Sequence, residues 1–412
     1  MAFLKTEVSD ILFFCRNEPF FFWSSVIFYV CILMCVAPGF RRWFKGTFEA
    51  PNPSTNSHLA PLDAFRGFAA LWVFSYHTWI TMQPLNNGML SMGFVRYGQA
   101  AVPVFAVLSG LLIYRSLRGR KITGVLLKSY AKRRFLRIYP LYLVTMIVSV
   151  AIGIAIGKGA WGDGKAGLIA DVFMLRMFGF PDFCGSPPFN PPSWSLNVEM
   201  LFYIALPVWM ILSRRRPGLS ALAGFVLFAA AGTTTLAKQY LLMKYFFVGI
   251  MVCEVMESEW FAKRGNAAGG FLLAAGIALL GLNCAGMPLP DMLINSLSAK
   301  AGFAAKPFGN PDYTLTIGFG TALALLGVVK FRPAAVLLSL YPFRFIGIVS
   351  YSVYLWHTIL IRDPFLGDID YGAAVGRGDW LTFLLIYMPA VLLYASISYV
   401  LIEKTFQKMR PR

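Results

Sequence analysis

Arg66 and His77 interrupt an otherwise apolar run, Leu62-Asp-Ala-Phe-Arg-Gly-Phe-Ala-Ala-Leu-Trp-Val-Phe-Ser-Tyr-His77, with Asp63 just ahead of the arginine. On a helix turning 100° per residue, Arg66 and His77 differ by about 20° in azimuth and Asp63 lies within about 60° of Arg66. All three therefore share one face. Their separation along the axis is about 16 Å, half the thickness of a bilayer core. An ionisable group inside an apolar span is costly, and two on one face point to function. The plainer reading is a histidine bonded between helices and an arginine reaching for the membrane surface.

Three further groups of residues have the types for such chemistry. In Lys128-Ser-Tyr-Ala-Lys-Arg-Arg-Phe-Leu-Arg-Ile-Tyr-Pro140, Arg134 and Arg137 are three apart and so neighbours on a helix; paired guanidinium groups suit phosphate oxygens, and they also suit a topological charge anchor. In Pro191-Pro-Ser-Trp-Ser-Leu-Asn-Val-Glu-Met-Leu-Phe-Tyr203 the prolines start a helix and carry Glu199 about a turn and a half into it, to orient a hydroxyl or pair with an arginine. In Ser350-Tyr-Ser-Val-Tyr-Leu-Trp-His357 the residues Ser350, Tyr354 and His357 form a polar stripe. His58, the remaining histidine, falls in a linker. Six scattered cysteines contain neither a CxxC pair nor a Cys/His cluster at zinc spacing, so no metal site is expected. Cys31 and Cys35 are expected to pack, and Cys184 and Cys284 to face the same side, where a disulfide is open to them.

The elements that hold these residues must be membrane helices. A chain of 412 residues that is 58% hydrophobic and 14% charged has more apolar surface than a soluble core can hide. Roughly eleven spans are expected: Phe20 to Val36, Leu62 to Ile80, Ala101 to Tyr114, Ile138 to Ile156, Trp194 to Leu212, Ser220 to Gly232, Tyr240 to Val255, Gly269 to Ala285, Tyr313 to Val329, Phe345 to Ile361 and Leu381 to Ile402. The first, retained rather than cleaved, sits apart behind the linker Ala50 to Ser57. The net charge of +18 is not a patch. With the C-terminus cytoplasmic, about 24 of the basic residues fall inside and about 12 outside, which is positive-inside topology and argues against nucleic-acid binding.

At these residues the chain resembles the acyltransferase type 3 family of integral membrane acyltransferases. The likeness rests on Asp63-Ala-Phe-Arg-Gly-Phe-Ala-Ala-Leu71 with His77 at its spacing, Phe105-Ala-Val-Leu-Ser-Gly110, Arg134-Phe-Leu-Arg-Ile-Tyr-Pro140, Trp194 to Tyr203, Ser350 to His357 and Ile402-Glu-Lys-Thr-Phe406, in that order. Ala101, Pro103 and Ala106 depart from the family's pattern, while Ser109 and Gly110 keep it.

The resemblance implies an all-α membrane protein. Its ten-helix core at 59–406 follows an extra N-terminal helix and linker at 1–58 and precedes a basic tail at 407–412. It also implies acyl transfer, usually acetyl from cytoplasmic acetyl-CoA, to a glycan or lipid-linked glycan at the outer face of the bacterial inner membrane. No cofactor is expected beyond that co-substrate. His77, Arg66 and Asp63 are then the catalytic group, His77 as the base or as the residue that briefly holds the acyl group, and Asp63 to fix the Arg66 side chain. Arg134, Arg137 and Ser109 serve the donor, and Trp194, Glu199, Tyr351, Tyr354 and His357 serve the acceptor or support the site. A transporter of lipid-linked glycans is the main rival, weakened by the lack of internal repeats; a scaffold without chemistry would not need the arginines beside a buried histidine.

Overall fold

The computed structural model describes residues 19–48, 60–82, 94–155, 164–178, 189–231, 241–300, 314–361 and 383–409, and these are helical with no strand among them. In chain order the helices are α1 (Pro19–Met34), α2 (Pro38–Phe48), α3 (Ala60–Met82), α4 (Ala101–Leu117), α5 (Gly124–Ala155), α6 (Gly164–Val172), α7 (Trp194–Leu212) and α8 (Pro217–Ala231). They continue with α9 (Met243–Met256), α10 (Asn266–Cys284), α11 (Leu289–Lys300), α12 (Leu315–Lys330), α13 (Arg332–Leu338), α14 (Tyr341–Leu360) and α15 (Leu385–Lys408). Two π-helical turns, Phe383–Tyr387 and Tyr399–Glu403, lie at and within α15. His58, Cys184 and the Ala50 to Ser57 linker fall outside the described residues.

Among the described residues five helices are long and apolar enough to cross a membrane, and up to seven if each of two bent pairs is one span. The expected eleven included shorter pieces: α8 and α9 have 15 and 14 residues, below the roughly 20 that a bilayer core takes. The expected first span, Phe20 to Val36, corresponds to α1, and beyond it the chain turns by 115° into α2, which begins at Pro38. That helix is amphipathic. Phe40, Phe44 and Phe48, four apart, form its aromatic side, and Phe44 and Phe48 pack on Phe345 at 5.5 and 5.1 Å between ring centroids, while Arg41 and Arg42 are exposed. Lys404 on α15 donates to the carbonyls of Gly46 and Thr47, and Ser25 on α1 donates to Ile386 O. The first two helices are thus docked on α14 and α15.

α3 lies between two apolar clusters. Leu62, Ala69, Trp72 and Val73 enter a cluster shared with α4, α5, α7, α9 and α12, whereas Ala70 and Phe74 enter a second one with α14 and α15. Its neighbours come unusually close because small residues face each other, the usual way helices gain contact when lipid offers no hydrophobic drive. A Cβ on Gly347 of α14 would sit 2.0 Å from Asp63 O, and one on Gly67 would sit 2.7 Å from Gly347 N. α4 and α9 interlock likewise, since a Cβ on Gly110 would meet Phe246 O at 2.2 Å. The start of α4 lies beside the second half of α3, with Tyr76 OH donating to Gln99 Oε1 at 2.8 Å and Trp72 Nε1 to Phe94 O at 2.7 Å. α4 therefore runs antiparallel to α3 and ends at the Arg66 end of the bundle.

Candidate active site

The close approach of α3 and α14 sets a register. Gly67 meets Gly347, and ten residues further along each helix His77 meets His357, so the helices run parallel. His77 Nδ1 is 3.1 Å from His357 Nε2 and 3.0 Å from Val73 O; His357 Nδ1 is 3.2 Å from Val353 O. These contacts assign the protons. A carbonyl oxygen only accepts, so both Nδ1 atoms carry hydrogen, and His77 Nδ1–H points between two acceptors, Val73 O and the lone pair of His357 Nε2. The lone pair of His77 consequently sits on Nε2. His357 is fully buried and His77 partly buried, so His357 backs and orients the imidazole in front of it.

Tyr354 joins this pair to a cavity. Its ring lies 5.9 Å from that of His357, and its hydroxyl is 2.6 Å from Ser195 Oγ and 3.0 Å from Pro192 O. The cavity is narrow, about 50 Å³, and Arg66, Ser109, Ser195, Glu199, Ser350, Tyr351 and Tyr354 supply its polar lining. Val102 and Leu242, at the starts of α4 and α9, also line it, so it runs inward from their end of the bundle towards Arg66. Ser109 donates to Glu199 Oε1 at 2.8 Å and Tyr203 donates to the same oxygen. Gly110 makes this geometry possible, because α9 can close on α4 without pushing Ser109 away from α7.

Around Arg66 the site is cationic. Arg137, Asp63, Glu199 and Tyr203 lie within electrostatic reach of its guanidinium. Asp63 does not line the cavity; it sits behind Arg66, in the field of Arg66, Arg344 and Arg137. Arg134 stacks over the rings of Tyr130 and Tyr203 at 5.7 and 5.6 Å, and its buried Nε has no hydrogen-bond partner among the described residues. Tyr351 turns its hydroxyl to Ile138 O at 2.8 Å, tying α14 to α5 one residue from Arg137. Trp194 packs partly buried against the core beside Ser195 without lining the cavity.

Comparison with known sequences identifies the family. An acyltransferase domain family model covers residues 59–401. The chain belongs to the acyltransferase type 3 family. Acyltransferase MdmB of Streptomyces mycarofaciens is 32% identical over 39% of this chain and 41% of its own length. The exopolysaccharide production protein ExoZ of Rhizobium meliloti is 25% identical over 74% of this chain and 89% of its own. Peptidoglycan O-acetyltransferase OatA of Listeria monocytogenes is 24% identical over 86% of this chain and 56% of its own. The matched stretches of MdmB and OatA are thus about half of each protein. No solved structure matches this acyltransferase family member.

Sequence reasoning leaves out Ser195, Tyr203 and Asn190. Tyr203 follows Glu199 by four residues, which is a readable signal of contact. Asn190 carries none. It is buried, donating to Leu355 O at 3.1 Å and Thr145 Oγ1 at 3.2 Å and accepting from Thr358 Oγ1 at 3.3 Å. Leu355 and Thr358 flank His357, so Asn190 pins the turn that carries it. Asn190→Ala leaves those buried groups unpaired, at a cost of about 1–3 kcal/mol. The expected outcome is a fall in kcat of about tenfold with an unchanged KM for the acyl donor, read by steady-state kinetics; a changed KM alone would contradict the positioning role.

Proposed function

We propose that this chain is a multi-pass enzyme of the bacterial inner membrane, C-terminus cytoplasmic, that moves an acetyl group from cytoplasmic acetyl-CoA to a hydroxyl of a glycan or lipid-linked glycan at the outer face. The observation that carries this reading is the join through Tyr354 between the His77–His357 pair and the cavity holding Glu199, Ser109 and Arg66. The acceptor oxygen attacks the thioester carbonyl; a C–O bond forms, the C–S bond breaks, and the hydroxyl proton passes to His77 Nε2 and from there to the departing thiolate. In the alternative route the lone pair of His77 Nε2 bonds the acyl carbon as the C–S bond breaks; the acceptor oxygen then takes the acyl group, and the freed Nε2 receives the hydroxyl proton and passes it to the CoA thiolate. Glu199 Oε2, which has no hydrogen-bond partner among the described residues, is the oxygen available to align the hydroxyl.

Arg66 and Arg137 in mutual reach, with the unpartnered Nε of Arg134 nearby, make a site that gains from an anion, and the phosphates of the donor supply one. Acyl-CoA is a co-substrate in this scheme and no cofactor is held permanently. The choice of acetyl is supported by a relative named as an O-acetyltransferase. The glycan acceptor is supported by relatives whose names specify exopolysaccharide production and peptidoglycan O-acetylation.

The test supplies protein in vesicles with acetyl-CoA and candidate glycans and follows CoA thiol release together with acyl-ester formation. Both are expected. Neither, with labelled glycan crossing the membrane, would leave a transporter in place of the enzyme. Faster turnover with succinyl-CoA would overturn the choice of acetyl. Glu199→Gln, which keeps the volume and removes the charge, is expected to lower kcat/KM for the glycan by about tenfold or more while donor binding persists.

A further inference from the structure

A second cavity opens where α4, α7 and α9 end, at the Arg66 end of the bundle. It measures about 590 Å³ and shares no lining residue with the first. Its wall contains Arg118, Arg120, Lys121 and Arg214, with Tyr114 and Glu254. The first three come from one tight turn. Arg118 ends α4, Gly119 takes a left-handed φ of 73°, and Arg120 N–H returns to Leu117 O at 3.1 Å. Glycine is needed there for its backbone, since a Cβ would meet nothing within 4 Å. The reversal keeps three cations on one short rim, and Arg214 joins them from the turn between α7 and α8.

These charges are not balanced locally. Glu254, the one carboxylate in the wall, takes Arg118 Nε on Oε1 at 2.8 Å and Nη2 on Oε2 at 3.2 Å, and its Oε1 also takes Tyr114 OH at 2.6 Å. The next carboxylate, Glu257, is paired with Arg115 at 2.8 Å. Among the described residues Arg120, Lys121 and Arg214 have no carboxylate within 4.0 Å. Positive-inside topology accounts for cations at this end of the bundle, but it does not require them to converge on a cavity. Convergence raises their mutual repulsion, which an anion of more than one charge would relieve.

We propose that this cavity binds a phosphate group of high charge, a phosphomonoester, separately from the transfer site. Two ligands present that group on this side of the bundle: the nucleotide end of an acyl-CoA and the headgroup of an anionic lipid. The full chain in phosphatidylcholine nanodiscs is titrated with adenosine 3′,5′-bisphosphate, and in parallel phosphatidic acid is added to the nanodiscs. Each titration is repeated for Lys121→Ala/Arg214→Ala and for the charge-keeping Lys121→Arg/Arg214→Lys. The alanine pair is expected to weaken binding about a hundredfold, tenfold for each cation removed, and the charge-keeping pair only a few-fold. Weakening with the bisphosphate assigns the nucleotide, weakening with phosphatidic acid the headgroup, and weakening with both a general phosphate site. Equal binding by wild type and the alanine pair, or no binding of either probe by wild type, overturns the proposal. All of these residues but Glu254 and Tyr114 are at the surface, and matched melting temperatures show that the variants are folded. Acyl transfer is measured separately, so failure here leaves the enzymatic reading intact.

Discussion

His77→Ala is expected to lower acyl transfer by about 10²- to 10⁴-fold, the range for a lost general base, while the protein still binds its acyl donor. The size follows from proton assignment. With Nδ1–H committed to Val73 O and His357, Nε2 is the nitrogen that can take the acceptor proton, and no other imidazole among the described residues stands in front of His357. His357→Ala keeps the base and removes only its backing group, so its expected loss is smaller, about tenfold to a hundredfold. Single-turnover measurements of CoA release check both variants. Equal activity in His77→Ala and wild type would remove His77 from the chemistry.

Much of this site is legible in the sequence. Helical periodicity puts Asp63, Arg66 and His77 on one face, and the spacing of Ser350, Tyr354 and His357 makes a second polar stripe. What periodicity cannot give is which stripe meets which. His77 and His357 are 280 residues apart, and their contact depends on Gly67 and Gly347, whose meaning lies in a neighbour's backbone and not in the local sequence. Sequence alone accordingly gives His357 as acceptor or structural support, and places Glu199 near an arginine without showing that Ser109 and Tyr203 both donate to it. Asp63, expected to fix the Arg66 side chain, lies in the field of Arg66, Arg344 and Arg137 and does not line the cavity. Helix boundaries are less legible: hydropathy starts a span at Ile138, whereas α5 already begins at Gly124 and carries the basic run on the same helix.

The second large effect is expected at a residue far from the chemistry. In Gly347→Ala the new Cβ would lie 2.0 Å from Asp63 O and 2.4 Å from Asp63 C, and because both are backbone atoms no rotamer relieves the clash. α3 and α14 must separate by about 1 Å to restore van der Waals contact. A hydrogen bond of 3.1 Å does not survive that, so the His77–His357 contact opens even though it lies ten residues away along both helices. A misplacement of this size can cost about 10² in rate. A general loss of stability would lower activity too, and the double variant separates the causes. If Gly347 acts through the histidine pair, Gly347→Ala in the His357→Ala background removes little further activity, because the hydrogen bond it disturbs is already gone. If the losses multiply, the glycine supports the fold without setting the pair, and the register is not what aligns the base. Measured alongside CoA release, donor binding should stay within a few-fold of wild type in His357→Ala, which leaves Arg66, Arg134 and Arg137 in place, whereas Gly347→Ala also shifts Arg66, beside the Gly67–Gly347 contact, and weakens donor binding as well.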